Sequence, residues 1–204
     1  MSLRWIFMAA LTALAACSAP AVPDFTWYRL PRAEPLEPAV APLFRDPVVV
    51  GAFGADGLYG DQPLIYALDP SAQQLRQYHY QLWTDPPARM LQRRLIAQLR
   101  EAHASAEVTD ELSASEPAIR IGGVILRFDR VPAAVGGFNV VVALKLRADR
   151  RDGAPLVDDY YHAEVPVGGA NLKAAVDAYG VALDTIFAQF YGALRKAGAD
   201  AHAG

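Results

Sequence analysis

The apolar positions of this chain follow two periods, one of two residues and one of three to four. The period of two is clearest over residues 138–147, where every second side chain from Phe138 to Leu146 is apolar, so this stretch predicts a β-strand. Other stretches rich in β-branched and aromatic residues predict further strands. They lie at residues 48–53, 64–68, 74–83, 118–131 and 157–167, with a short extended segment at 106–110.

Two segments repeat their apolar residues at helical spacing. The first covers residues 86–103 and predicts an amphipathic helix with Asp85 as its N-cap and two prolines in its first turn. Its apolar side chains recur every four residues, at Leu91, Leu95 and Leu99. The second predicts a longer helix over 171–196, with Asn171 as its N-cap and one apolar stripe that faces a sheet.

Glycines mark the bends between the predicted strands. Gly136 with Gly137, and Asp152 with Gly153, predict turns on either side of strand 138–147, so the late strands form an antiparallel meander. Gly122 and Gly123 lie within strand 118–131 and predict a bulge or a close approach of another segment. The predicted fold class is therefore α+β, with a single antiparallel β-sheet packed by two α-helices. This domain covers residues 48–197, and a disordered tail follows at 198–204.

The amino terminus has the composition of an export signal. Arg4 gives a positive start, an apolar stretch too short to span a bilayer follows, and Leu-Ala-Ala-Cys closes it at residues 14–17. We interpret residues 1–16 as a lipoprotein signal peptide and Cys17 as the lipidated residue, carrying diacylglycerol and an N-acyl chain. The alternatives are a plain secretory signal with an incidental cysteine, or an uncleaved helix. Ser18 resembles the address of outer-membrane lipoproteins, which places the domain at the periplasmic face of that membrane.

Residues 17–47 form a proline-rich segment. Seven of the fifteen prolines lie between residues 18 and 47, and proline keeps a chain extended, so this segment predicts a tether and semi-rigid spacer. Within it, the apolar residues between Phe25 and Leu30 predict a first strand that would attach the tether to the domain.

Charge and cysteine content argue against a nucleic-acid partner and against crosslinks within the domain. The formal net charge is −3, and it becomes −4 when the signal peptide and its single arginine are removed. A mildly acidic domain lacks the basic surface that nucleic acid requires. A single cysteine excludes internal disulfides and cysteine-based zinc clusters, so the apolar core must hold the domain together.

Aromatic residues are the candidates for contact with a partner or a lipid. Trp83, followed by two prolines, fits either a partner surface or a strand-end anchor in the core. Tyr78 and Tyr80, with Tyr160 and Tyr161, fit either a lipid-facing groove or a sheet surface and core. We carry Tyr80 and Trp83 forward as the contact candidates.

Catalytic chemistry has little support in the sequence. Asp158, Asp159 and His162 invite an acid–base or metal interpretation, but Asp159 points to the opposite face of a strand, so a solvated face is the better interpretation. The chain also has no Gly-x-Ser-x-Gly nucleophile elbow and no phosphate-binding loop. We expect no enzyme activity, no bound cofactor and no metal.

The order of landmarks resembles a known family. After the Leu-Ala-Ala-Cys segment at residues 14–17, the landmarks are, in sequence, Tyr28, Leu30, Asp61, Pro63, Ile65, Tyr66, Tyr78, Tyr80, Trp83, Pro86, Leu91, Leu95, and alanines at 174, 175, 178 and 182. This order is similar to the ABC-type transport auxiliary lipoprotein (PqiC/YmbA-like) family over residues 28–195. The chain departs from it at Leu82, where many relatives have a basic residue.

The resemblance implies an accessory subunit of an MCE-type lipid transport system that works between the two membranes. The implied partners are an MCE-domain protein and an ABC transporter permease and ATPase, and homo-oligomer formation is an open option because MCE partners form rings. Two alternatives remain. One is a scaffold lipoprotein for lipopolysaccharide export or secretion, and the other is a periplasmic hydrolase that uses His162 with Asp158.

Overall fold

A computed structural model describes residues 22–113 and 116–203, with side chains to residue 199. The predicted signal peptide and Cys17 lie outside the described residues. Nine strands lie within the described residues: β1 (Thr26–Tyr28), β2 (Val48–Val50), β3 (Gly54–Ala55), β4 (Pro63–Ala67), β5 (Leu75–Trp83), β6 (Val108–Thr109), β7 (Ile119–Pro132), β8 (Phe138–Asp149) and β9 (Pro155–Pro166). The helices are α1 (Pro87–Glu101) and α2 (Leu172–Ala203), with a 3-10 turn at Gly57–Gly60.

The strands form one mixed sheet, so the predicted single antiparallel sheet is wrong, although the α+β class is confirmed. The meander β7–β8–β9 and the pair β4–β5 are antiparallel. Strands β2, β3 and β4 instead pair in parallel with β7, and β1 pairs in parallel with β5. Parallel neighbours need a long crossover, and helix α1 supplies it for β7. Alternation along a strand reports its buried face but not the direction of its partner.

The two helix starts differ in how well local sequence predicted them. The prediction for Asn171 is confirmed, because its Oδ1 accepts a hydrogen bond from the backbone N–H of Ala174 at 2.8 Å. The prediction for Asp85 is wrong, because Pro86 occupies the cap position of α1 without a side-chain hydrogen bond. The carboxylate of Asp85 lies one residue too early and pairs with Arg93 at 3.3 Å.

Helix α2 continues past the predicted end at residue 196. It reaches Ala203, so the segment that was predicted to be disordered is helical as far as that residue. This segment contains alternate alanines and no proline, and alanine is the best helix former.

The main core lies between the sheet and the two helices. Leu91, Leu95 and Leu99 of α1 are fully buried, as their four-residue spacing predicts. Gly123 permits a close approach: a Cβ at this position would lie 2.7 Å from the ring of Phe53. The register shift of β7 falls instead between residues 125 and 127. The glycine therefore marks the approach of a ring and not the bulge.

Candidate functional site

Strand β1 carries exposed aromatic side chains at the edge of the sheet. Its parallel register pairs Trp27 with Leu82, so residues 25 and 27 share a face with residues 80 and 82. Phe25 is 59% exposed and Trp27 is 52% exposed, and the ring of Phe25 lies 5.6 Å from that of Tyr80. We name Phe25, Trp27 and Tyr80 the aromatic face. Exposed apolar side chains that share one face of an edge strand make this face a candidate interaction site.

The two contact candidates from the sequence lie on opposite sides of β5. Tyr80 is partly exposed and belongs to the aromatic face. Trp83 is 1% exposed and packs in the core, with its ring 5.5 Å from Phe128 and 5.3 Å from Tyr179. The two positions are offset by three along the strand, and an odd offset places side chains on opposite faces. Trp83 therefore has the surroundings of a strand-end anchor and presents no surface to a partner.

The sequence placed Phe25 and Trp27 in a first strand but did not identify them as site residues. A usable signal was present, because the i, i+2 spacing of two large aromatic residues predicts a shared strand face. Their partner on the neighbouring strand is set by a parallel register between segments more than fifty residues apart. No local pattern contains that register.

The four tyrosines do not line one groove. The hydroxyl of Tyr78 accepts a hydrogen bond from Arg130 at 3.0 Å, which occupies its polar end. Tyr160 is 67% exposed and lies beneath Lys145, whereas Tyr161 is buried against helix α2 on the other face. Only Tyr80 of the four joins the aromatic face among the described residues.

A polar cluster between the two helices holds the proline-rich segment. Arg94 of α1 donates from Nη1 to the carbonyl of Pro31 at 2.7 Å and from Nη2 to Asp184 of α2 at 2.7 Å. Gln98 donates from Nε2 to the carbonyl of Glu34 at 2.7 Å and to Asp184 at 3.2 Å. We name Arg94, Gln98 and Asp184 the tether clamp. It satisfies two backbone carbonyls of a segment that belongs to neither helix nor strand.

Close packing reinforces the clamp along the same segment. A Cβ on Gly180 would lie 2.3 Å from the ring of Pro31, so this glycine allows the proline to pack against α2. Leu36 is 5% exposed, and the backbone N–H of Ala39 donates to the carbonyl of Ala102 at 3.0 Å. The predicted tether is therefore part of the folded domain from β1 onward.

The acid–base candidates of β9 do not come together. Asp158 pairs with Arg147 at 3.0 Å and with Lys145 at 3.4 Å. His162 lies opposite Ala143 in the register, four residues along the strand from Asp158, which is about 13 Å at strand rise. Within the described residues, no group of three His, Cys, Asp or Glu side chains is placed to hold a metal ion.

A buried carboxylate lies near the carboxyl end of β7. Asp129 is fully buried, accepts two hydrogen bonds from Arg127 at 2.7 and 3.1 Å, and accepts a third from the hydroxyl of Tyr59 at 3.2 Å. Burial, followed by the charge of Asp129, raises the pKa of Tyr59 to about 12. The carboxylate is buried and its three hydrogen bonds all come from neighbouring side chains, which gives it a structural role.

Comparison with solved structures shows that the fold is shared. The crystal structure of protein XCC0632 from Xanthomonas campestris, a DUF330 protein, matches with a TM-score of 0.74 at 15% identity and covers 88% of this chain and 100% of that one. The crystal structure of an uncharacterized protein matches with a TM-score of 0.64 at 15% identity and covers 82% of this chain and 97% of that one. No curated protein matches the sequence.

Comparison with family models gives the relationship. Residues 59–190, more than half of the chain, match the model described as ABC-type transport auxiliary lipoprotein component. The match begins in the 3-10 turn before β4 and ends within α2, so it includes the whole β7–β9 meander. The resemblance of the landmarks is thereby confirmed, and this chain belongs to the ABC-type transport auxiliary lipoprotein component family.

Proposed function

We propose that this protein is an outer-membrane-anchored periplasmic lipoprotein that serves as accessory subunit of an MCE/ABC-type intermembrane lipid transport system. Family membership supports an association with an ABC transport system and with a membrane through lipid. In the described part of the chain, no helix is long and apolar enough to cross a bilayer. Attachment in this proposal depends on acyl chains at Cys17, and two or more chains hold a protein on a membrane far longer than one.

The observation that carries the proposal is the position of the aromatic face. Thr26, the first residue of β1, follows Cys17 by nine residues. A fully extended chain of that length spans about 30 Å at most. Trp27 and its neighbours are thus held within one domain diameter of the anchored bilayer. Tryptophan and tyrosine favour the interface between headgroups and acyl chains, so the aromatic face points the domain toward the membrane.

Contact between the aromatic face and the membrane would orient the domain for its role in transport. A flexible tether alone would let the domain tumble, whereas the tether clamp joins the chain to helices α1 and α2 from Pro31 onward. When strand β1, at the edge of the sheet, contacts the membrane, the amino-terminal end of β7 lies away from the membrane and faces the periplasm. That end is free to bind the MCE-domain protein, so the role is one of binding and positioning.

Membrane contact is tested with the full-length lipidated protein in vesicles that contain brominated phospholipid, which quenches nearby tryptophan. We expect strong quenching of Trp27 and little of the buried Trp83. A Trp27→Phe variant should lose most of the quenching, because the fluorescence that remains comes from Trp83 and should be the same with and without brominated lipid. Equal quenching of the wild type and this variant would show that the aromatic face stays in water.

The partner and the membrane need separate tests. Crosslinking in intact envelopes followed by purification should recover an MCE-domain protein and ABC subunits, and recovery of neither would contradict the proposal. Recovery of lipopolysaccharide-export or secretion subunits would favour the scaffold alternative. Density separation of membranes should place the protein in the outer membrane, and Ser18→Asp should move it to the inner membrane.

Homo-oligomer formation is also part of the proposal. Strand β9 is twelve residues long and pairs with β8 alone among the described strands, so one edge keeps unpaired backbone groups. Long open edges recruit further strands unless they are covered. We expect a molar mass in detergent, by light scattering, of more than one chain, and a monomer would remove this part of the proposal.

A further inference from the structure

A cleft lined by arginines lies at the end of the domain away from the aromatic face. It has a volume of about 680 Å³ and lies between residues 43–46, the first residue of β7, the β8–β9 turn and Gly198 of α2. Ligand sites for single small molecules occupy about 300–1,000 Å³. Its lining includes Leu43, Phe44, Arg45, Ile119, Arg150 and Arg151, which we name the arginine cleft.

The three arginines of the cleft have free guanidinium groups. Most arginines in the described residues donate to a carboxylate or a carbonyl, as Arg94 and Arg147 do. Arg45, Arg150 and Arg151 are exposed and make no side-chain hydrogen bond or ion pair within the described residues. Three unpaired cations that line one concave surface attract an anion to it.

The two acidic residues of the cleft do not neutralise this charge. Asp152 accepts a hydrogen bond from the backbone N–H of Ala154 at 3.0 Å, which closes the β8–β9 turn. Asp46 lines the cleft as well, and it forms no ion pair in the part of the chain that the structure describes. The lining therefore keeps a net positive charge, whereas the whole protein is acidic.

The lining of the cleft also includes apolar side chains, which we name the apolar floor. Phe44 and Ile119 are 7% and 6% exposed, and Leu43 and Leu156 are half-buried beside them. A site for a free anion such as phosphate has no need of this surface. An acyl chain laid on it would remove apolar area from water, which favours binding.

We infer that the arginine cleft binds a single anionic phospholipid, with the phosphate at Arg45, Arg150 and Arg151 and an acyl chain along the apolar floor. Arginine forms paired, charge-assisted hydrogen bonds to phosphate oxygens. In the orientation proposed above, the cleft lies too far from the anchoring bilayer to take the ligand directly from it. The cleft lies near the Val48–Ile119 pair, ten residues along β7 from the pair that joins β7 to β4, roughly 30 Å at strand rise.

The binding site does not depend on the proposed membrane or partner, because it rests on the cleft alone. The test uses full-length lipidated protein in phosphatidylcholine nanodiscs, titrated by calorimetry with soluble dihexanoyl phosphatidylglycerol. Empty nanodiscs give the blank. We expect saturable binding, at least tenfold tighter than that of dihexanoyl phosphatidylcholine, and at least tenfold tighter than that of glycerol phosphate or inorganic phosphate.

A matched pair of variants separates the cleft from general charge. Arg150→Gln with Arg151→Gln should weaken phosphatidylglycerol binding at least tenfold and leave the circular dichroism unchanged, because both residues are exposed on a turn. Arg76→Gln with Arg89→Gln removes the same charge from exposed positions outside the cleft and should leave binding unchanged.

Three outcomes would overturn the inference. Equal loss in both double variants would mean that the attraction is a general charge effect. Equal affinity for phosphatidylglycerol and glycerol phosphate would show that the floor takes no acyl chain. Arginine-dependent binding of a hexaglutamate peptide, without binding of the lipid, would assign the cleft to an acidic protein segment.

Discussion

Replacing Asp184 with alanine tests the tether clamp, because it removes the counter-charge of a buried arginine. The side chain of Arg94 is 6% exposed and lies 2.7 Å from Asp184. Truncating one partner of a buried ion pair destabilises a protein by about 3–5 kcal/mol. Arg94 keeps its hydrogen bond to Pro31, and Asp184 is 17% exposed. The expected loss in unfolding free energy is therefore at the lower end, about 3 kcal/mol.

A control on the same helix has the same chemistry without burial. Asp177 pairs with Lys173 at 2.8 Å, but these side chains are 54% and 79% exposed. Exposed pairs one helical turn apart contribute about 0.3–0.5 kcal/mol. Asp177→Ala should therefore shift the unfolding midpoint by much less than Asp184→Ala.

Urea unfolding of the full-length protein in nonionic detergent, followed by tryptophan fluorescence, gives both free energies. Hydrogen exchange then locates the effect. In Asp184→Ala the amides between residues 31 and 37, apart from the two prolines, should exchange faster, because Arg94 and Gln98 lose the carboxylate that fixes them beside the carbonyls of Pro31 and Glu34. The amides of β8 should exchange at unchanged rates. If the two variants lose the same stability, or if exchange at 31–37 is unchanged, the buried pair does not hold the segment and the reasoning is refuted.

Three further substitutions probe the packing and the electrostatics. Gly180→Ala should destabilise the protein because its Cβ would lie 2.3 Å from a proline ring, whereas Gly192→Ala, with open space around it, should gain up to about 1 kcal/mol of helix propensity in the same urea assay. Trp83→Ala should lower the unfolding free energy by about 3–5 kcal/mol, and Trp27→Ala should change it by less than a third of that; similar losses would contradict the assigned burial. The pKa of Tyr59 is raised to about 12, so the folded state keeps a proton that the unfolded state loses near pH 10. The stability that this group contributes is complete below pH 10 and should fall by about 2–3 kcal/mol as the pH rises to 12. In Tyr59→Phe the free energy of unfolding, measured between pH 10 and 12, should fall less steeply with pH than in the wild type. An identical slope would refute the assignment of the pH dependence to Tyr59.

Local sequence patterns determined the elements that depend on near neighbours. The alternation in 138–147 and the glycine turns around it fixed the β7–β9 meander, because consecutive strands with short connections pair antiparallel. Asn171 and the stripe behind it located the start of α2 in the same way. The aromatic spacing in 25–30 was enough to predict β1.

Contacts between distant segments decided the rest. The partner of Arg94 lies ninety residues away, and the parallel pairing of β2 with β7 crosses the whole of α1. The same is true of the arginine cleft, whose lining comes from four separate segments. A periodic pattern reports which side of an element avoids water. The direction of pairing, the carbonyls that a buried arginine reaches and the charges that meet in a cleft follow only once the elements have packed.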